Sequence, residues 1–307
     1  MGLGGASCLV KAGAHVDIVA RRNTVAALRE QGLKRTGIFG QYHAEPTKFG
    51  SYMSLNEIPE GTYDHVLVCV KSFDTFEAAL ELSAHTSAFG NNTKIILFQN
   101  GWGNAEKFCS FFEARQIYSA RVITGFRRVK PNEVEITVHA DSIHIGSLFA
   151  GDLSGIQKLC ELIAQGDIPC RKTDSIEKDL WAKMLYNCAL NALGAILDVP
   201  YGILAQNEFT RAIMDGIVEE TFAVMKASGH RTYWGSAADF LNVFYNKLVP
   251  DTAGHQSSTL QDILAKKKTE IDALNGAVLK LAQQHAMKVP YNSAVYNIVK
   301  FIESKSP

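Results

Sequence analysis

The sequence carries no surplus of charge of either sign: 31 lysines and arginines balance 31 aspartates and glutamates over 307 residues. Without a basic surplus the chain lacks the electrostatic footprint of a protein whose main partner is a polyanion, which argues against nucleic acid. It also lacks any C-x-x-C pair. Cys8, Cys69, Cys109, Cys160, Cys170 and Cys188 stand far apart, mostly among apolar neighbours. That spacing speaks against a zinc site and a disulfide scaffold, so the cysteines read as reduced and buried, with no metal expected. No apolar run approaches the roughly 20 residues that span a bilayer. The longest, HVLVCV (65–70) and KIILF (94–98), are of strand length, and no secretory pattern opens the chain. Internal repeats and low-complexity segments are missing too. The expectation is a cytoplasmic enzyme acting on a small molecule, in a chain long enough for two domains.

What is present divides at about residue 173. Before it, short apolar segments alternate with helical ones: VDIVA (16–20), HVLVCV (65–70), KIILFQN (94–100) and QIYSARVI (116–123), with runs such as TFEAALELSA between them. This is a βαβ rhythm. EVEITVHA (133–140) and SIHIGS (142–147) are separated by one residue and suggest an antiparallel pair closing the sheet. After the polar RKTDSIEKD (171–179), the segments DLWAKMLYNCALNALGAIL, FTRAIMDGIVEETFAVMKAS, AADFLNVFYNKLV and LQDILAKKKTEIDALNGAVLKLAQQHA all carry helical periodicity. The expected fold is an α/β Rossmann-type domain over 1–173 followed by an all-α domain over 174–307.

One further element is missing. The chain opens MGLGGASCLVKAGAHVDIVARR, a glycine cluster, an amphipathic run and an apolar strand, as after the first strand of a dinucleotide-binding unit. In such units a strand leads into G-x-G-x-x-G, whose backbone and helix N-terminus receive a pyrophosphate. Counting back from VDIVA, Gly2 takes the place of the third glycine, and no strand or earlier glycines precede it. The expectation is that Met1 is an internal methionine of that turn and that roughly ten upstream residues belong to the working protein.

The second strand ends VARR, where an NAD enzyme carries an acidic residue for the ribose 2′-hydroxyl. Arginine there favours a 2′-phosphate, with Arg21 the first choice for the contact and Arg22 the second. A pair of solvated charges at a strand end is the alternative. Lys71 and Asn100 follow the next two strands, where ligands bind in such sheets, although Asn100-Gly101 is also a turn dipeptide.

In the helical half, Lys183, Asn187 and Asn191 are four residues apart, on one face within about 80°. Their neighbours Trp181, Met184, Leu185 and Leu190 mark a buried helix, where such polar groups are costly unless they meet a ligand or one another. Ser258 with Gln261 three residues on forms a capping-box pattern, and a hydroxyl at a helix N-terminus is also a seat for a carboxylate. Lys266 to Lys268 read as a solvated face.

Taken together, VARR, VKS after HVLVCV, QNGWG, LWAKMLYNCALN, and SSTLQDI followed by KTEIDALNG resemble the ketopantoate reductase (2-dehydropantoate 2-reductase) family over nearly the whole chain. The resemblance implies NADPH-dependent reduction of 2-dehydropantoate to (R)-pantoate. It implies Lys183 as the catalytic lysine and Glu270 as a second catalytic and substrate-binding group, also placed against the cofactor. Asn187, Asn191 and Ser258 would hold the substrate, Arg21 and Lys71 the NADPH, with Asn100 at the junction of cofactor and substrate. His255 stands where some members carry an asparagine, so it is a further substrate-binding candidate. As an ammonium, Lys183 would stabilise the oxyanion and donate its proton, helped by partial desolvation. Two other readings stay open: a reductase of another branched 2-keto acid, invited by His255, and a catalytically impaired nucleotide-fold binding protein. A homodimer is compatible with the sequence, which gives no oligomeric state.

Overall fold

The computed structural model describes residues 1–85 and 87–305. The chain divides into two compact units, Met1–Gln99 with Ala105–Ile176, and Asn100–Asn104 with Glu177–Pro307. The division after Ile176 lies three residues beyond the change of character in the sequence. The segment around QNGWGN groups with the helical unit.

The first unit carries strands β1 (Asp17–Val19), β2 (Leu33–Gly37), β3 (Tyr42–Ala44), β4 (Gly50–Tyr52), β5 (His65–Val68), β6 (Lys94–Leu97), β7 (Ile117–Lys130), β8 (Glu133–Gly146) and β9 (Cys170–Lys172). Its helices are α1 (Gly2–Lys11), α2 (Arg22–Gln31), α3 (Thr75–Ser83) and α5 (Gln157–Gln165), with α4 (Asn104–Phe108) starting in the segment that groups with the second unit. The main sheet runs β3-β2-β8-β7-β6-β5, with β9 beside β8. β5, β6 and β7 are mutually parallel, and β8 is antiparallel to β7 but parallel to β2 and β9. β1 and β4 form a separate parallel pair. In β6 the residues Ile95, Ile96 and Leu97 are all buried, the continuous apolar run of a strand covered on both faces.

The segments 133–140 and 142–147 do not pair with each other. They are one strand, β8, whose antiparallel partner is β7 across the turn at Pro131-Asn132. A single residue cannot reverse a chain. The interruption at Asp141 is absorbed instead by register shifts against Arg121, Ile123 and Thr124.

β2 does not read as a strand because its centre is charged. Arg35 is fully buried. It donates through Nη1 to the Gly166 carbonyl at 2.7 Å and pairs through Nη2 with Asp167, which also receives Lys11 at 2.7 Å. The pairing is what lets a guanidinium occupy the core. Of the cysteines, all six are free thiols; Cys8, Cys160 and Cys188 are buried, while Cys69, Cys109 and Cys170 are half-buried.

The second unit consists of α6 (Ile176–Leu197), α7 (Tyr201–Gln206), α8 (Glu208–Ala227), α9 (Ala237–Val243), α10 (Ser258–Leu264), α11 (Asn275–Gln284) and α12 (Pro290–Ser304). The periodic run 260–286 is not one helix. It breaks after Leu264, where Lys266 takes a positive φ of 53°, and resumes only after a 3-10 turn at Ile271–Ala273. Asn292 ties three helices together, accepting from Asn275 Nδ2 at 3.0 Å and donating to Glu220 Oε2 at 2.9 Å. Helix α6 has the length and composition of a membrane span, but 67% of its apolar window is buried inside the protein, as expected of a core helix.

Helices α1 and α5 meet at Gly166, where an added Cβ would lie 2.3 Å from both the Cα and the carbonyl oxygen of Cys8. Its φ of −83° suits any residue, so only space forbids a side chain. Gly166→Ala is therefore expected to lower stability by about 1–3 kcal/mol in urea unfolding. Gly40→Ala, at φ +77° with nothing within 4 Å, should cost about 1 kcal/mol through backbone strain alone. An unchanged urea midpoint for Gly166→Ala would contradict the close packing.

Candidate active site

Helix α6 is buried along most of its length: Trp181, Leu185, Cys188, Ala189, Leu190 and Ala192 are 0% exposed. Lys183 is half-buried on it, and Asn187 and Asn191 are buried. These three groups do not satisfy one another. Lys183 Nζ donates to Asn100 Oδ1 at 2.7 Å. Asn191 Oδ1 accepts from the Tyr201 hydroxyl at 2.6 Å. The side-chain amide of Asn187 has no hydrogen-bond partner among the described residues.

Asn100 arrives on the loop after β6. Its amide works from both ends, accepting from Lys183 and donating through Nδ2 to Glu270 Oε2 at 3.4 Å. The loop is held by its next residues. Gly101 has φ +89°, and a Cβ there would lie 2.3 Å from the Ala273 carbonyl oxygen. That carbonyl accepts from the Trp102 amide at 2.9 Å. The Trp102 ring packs against Trp181 at 4.8 Å and His230 at 4.6 Å between centroids, and His230 Nδ1 lies 2.7 Å from Glu177. Glu270, itself buried, follows Thr269, whose amide and hydroxyl both donate to Glu303 at 2.7 and 2.6 Å.

The cap of α10 is Ser257, not Ser258. Ser257 Oγ accepts from the Leu260 amide and donates to the Asn191 carbonyl, both at 3.0 Å. The register is set by that second bond, which needs the buried serine; Ser258 is the first helical residue, half-buried, with its hydroxyl unpartnered among the described residues. His255 is tied by its backbone, its carbonyl accepting from the Tyr201 amide at 3.1 Å, while its ring packs on Tyr201 at 5.3 Å. Burial pushes the His255 imidazole below its ordinary pKa, which favours the neutral form.

In the first unit, Gly2 opens α1, and a Cβ on it would meet Cys69 Cβ at 3.4 Å, an ordinary contact. Gly4 is tighter, with Phe126 ring carbon at 2.3 Å from such a Cβ. Arg21 is the exposed residue before α2. Its charge, after burial, is the second cause holding the Arg128 guanidinium below its usual range. Burial likewise lowers the Met1 amine, and the charges of Lys71 and Arg128 act on it in the same direction. Arg21, Arg128 and Lys71 thus bring positive charge into one region of the first unit.

Sequence reasoning missed Arg128, Tyr201 and the Trp102–Trp181–His230 cluster. Trp102 had a signal: an aromatic between two glycines is a side chain carried on a loop free to turn it inward. Tyr201 and Arg128 had none, since both depend on contacts distant in sequence.

A Rossmann-type α/β unit followed by a helical unit in which a lysine of a buried helix is joined through a loop asparagine to a glutamate is the build of an oxidoreductase. Residues 1–149 match the family described as Ketopantoate reductase PanE/ApbA, and residues 175–303 match its C-terminal counterpart. The chain belongs to the ketopantoate reductase family. It is 35% identical over 293 residues to the 2-dehydropantoate 2-reductase of Aquifex aeolicus, covering 95% of this chain and 90% of that one. The crystal structure of a PanE/ApbA family ketopantoate reductase from Ralstonia eutropha superposes with a TM-score of 0.83 at 29% identity, covering 99% and 95% of the two chains. A D-mandelate dehydrogenase solved with NADH and anilino(oxo)acetate shares the fold at TM-score 0.85, with 20% identity and 98% and 94% coverage.

Proposed function

We propose that this protein reduces 2-dehydropantoate to (R)-pantoate with NADPH, residues 1–173 holding the cofactor and residues 174–307 the substrate. The observation that carries the reading is the Lys183–Asn100–Glu270 linkage, whose lysine stands on the same helix as Asn187, an amide without a hydrogen-bond partner among the described residues. Membership of the ketopantoate reductase family supports the substrate class.

Arg21, Lys71 and Arg128 supply positive charge for the phosphates, and Gly2 opens α1 beside Cys69. A bound nicotinamide supplies the hydride. Reduction of the keto group also needs a proton at the oxygen, because the developing alkoxide is strongly basic. Lys183 provides it, first stabilising the negative oxygen as an ammonium and then donating from Nζ. Asn100 keeps the ammonium in place through its carbonyl oxygen. Glu270 hydrogen-bonds the substrate hydroxyl from the opposite end of the Asn100 amide. Asn187, Asn191 and Ser258 supply donors to orient the carboxylate and hydroxyl groups, and His255 lines the same region as a neutral ring.

Lys183→Ala is expected to lower kcat at least about a hundredfold, the range for loss of a general acid; near-normal turnover of the purified, folded variant would remove Lys183 from its role. Arg21→Ala should raise KM for NADPH far more than for NADH, because only the former has a 2′-phosphate to lose. Equal effects on the two cofactors in steady-state kinetics would refute the cofactor preference.

A further inference from the structure

Tyr201 is the first residue of α7 and is buried. Its hydroxyl donates to Asn191 Oδ1 at 2.6 Å. A side-chain amide has a carbonyl end that only accepts and an NH2 end that only donates, so a donor fixed at Oδ1 settles which end faces elsewhere. The Asn191 backbone is pinned as well, because its carbonyl receives the Ser257 hydroxyl at 3.0 Å. The Asn191 NH2 group has no acceptor among the described residues. We propose that Tyr201 is a positioning residue for substrate binding: its hydroxyl orients the Asn191 amide so that the NH2 end is presented to the carboxylate of a 2-keto acid. The proposal rests on the reading of Asn191 as a substrate-binding residue.

The tyrosine is itself held in a frame that gives its hydroxyl one direction. Its amide donates to the His255 carbonyl at 3.1 Å, and the next amide, of Gly202, donates to the Ala253 carbonyl at 2.8 Å. The ring packs edge-on against Tyr186 at 5.8 Å and tilted against His255 at 5.3 Å. Tyr186 in turn shares a 2.5 Å hydrogen bond with Thr252. Burial, with the neighbouring Tyr186, raises the Tyr201 phenol well above its ordinary range, so it stays a donor at every working pH. The adjacent His255 ring is pushed toward its neutral form by burial and brings no charge that would compete for the amide. A tyrosine serving only to pack α7 would need its ring and not its hydroxyl.

The test is Tyr201→Phe in the full chain, which keeps the ring and deletes one oxygen. KM for 2-dehydropantoate is expected to rise about tenfold, with kcat within about threefold and KM for NADPH unchanged, since a freed amide rotates away from the substrate. Asn191→Ala should raise the same KM at least as much, and the double variant should be no worse than Asn191→Ala alone, because the tyrosine acts through the asparagine. Asn191→Asp provides a second measure that leaves Tyr201 intact. Tyr201 can still donate to one carboxylate oxygen, the other then faces the substrate anion, and KM should exceed that of Asn191→Ala. A silent Tyr201→Phe beside a strongly affected Asn191→Ala, additive effects in the double variant, or an Asn191→Asp that binds substrate better than Asn191→Ala would each overturn the proposal. A silent Asn191→Ala would overturn both it and the placement of Asn191 at the substrate.

Discussion

The helical unit depends on how one asparagine amide is turned. Asn100 offers its oxygen to the ammonium of Lys183 and its nitrogen to the carboxylate of Glu270, and no other orientation satisfies both charges, since an amide nitrogen cannot accept and an amide oxygen cannot donate. A cation and an anion are thereby held near each other with a neutral group between them. Everything around it serves to place that amide: the left-handed Gly101, the Trp102 amide on the Ala273 carbonyl, and the indole seated against Trp181 and His230.

The same economy runs along α6. Its apolar face is fully buried and specifies the packing, while the stripe of Lys183, Asn187 and Asn191 carries polar atoms into that packing at regular spacing. Each is handled differently: Lys183 is fixed by an acceptor from a loop, Asn191 by a donor from α7, and Asn187 is left open. Elsewhere in the same unit the buried Asn275 and Asn292 meet side chain to side chain, with Asn292 donating on to Glu220.

Much of this was legible in the sequence, and the boundary is physical. The spacing of Lys183, Asn187 and Asn191 follows from 3.6-residue periodicity, and the apolar runs of β5 and β6 announce themselves. β2 was hidden because Arg35, which looks like a surface residue, is neutralised by Asp167 more than a hundred positions later. The cap at Ser257 was misplaced by one residue because either serine fits the local pattern; the bond from Ser257 to the Asn191 carbonyl decides it. Likewise the single strand β8 looked like two, since register shifts against β7 are invisible until the partner is known. Arg128 illustrates the general case: its meaning comes from lying near Arg21 and Lys71, which local sequence does not encode.

Whether these residues act on a keto group receiving hydride can be measured directly. The purified protein is incubated with 2-dehydropantoate and NADPH carrying deuterium in both C4 positions, and the product is read by mass spectrometry. The expected product is pantoate with one deuterium, bound at C2. Product lacking the label, or no pantoate formed while the folded protein binds both substrates, would contradict it.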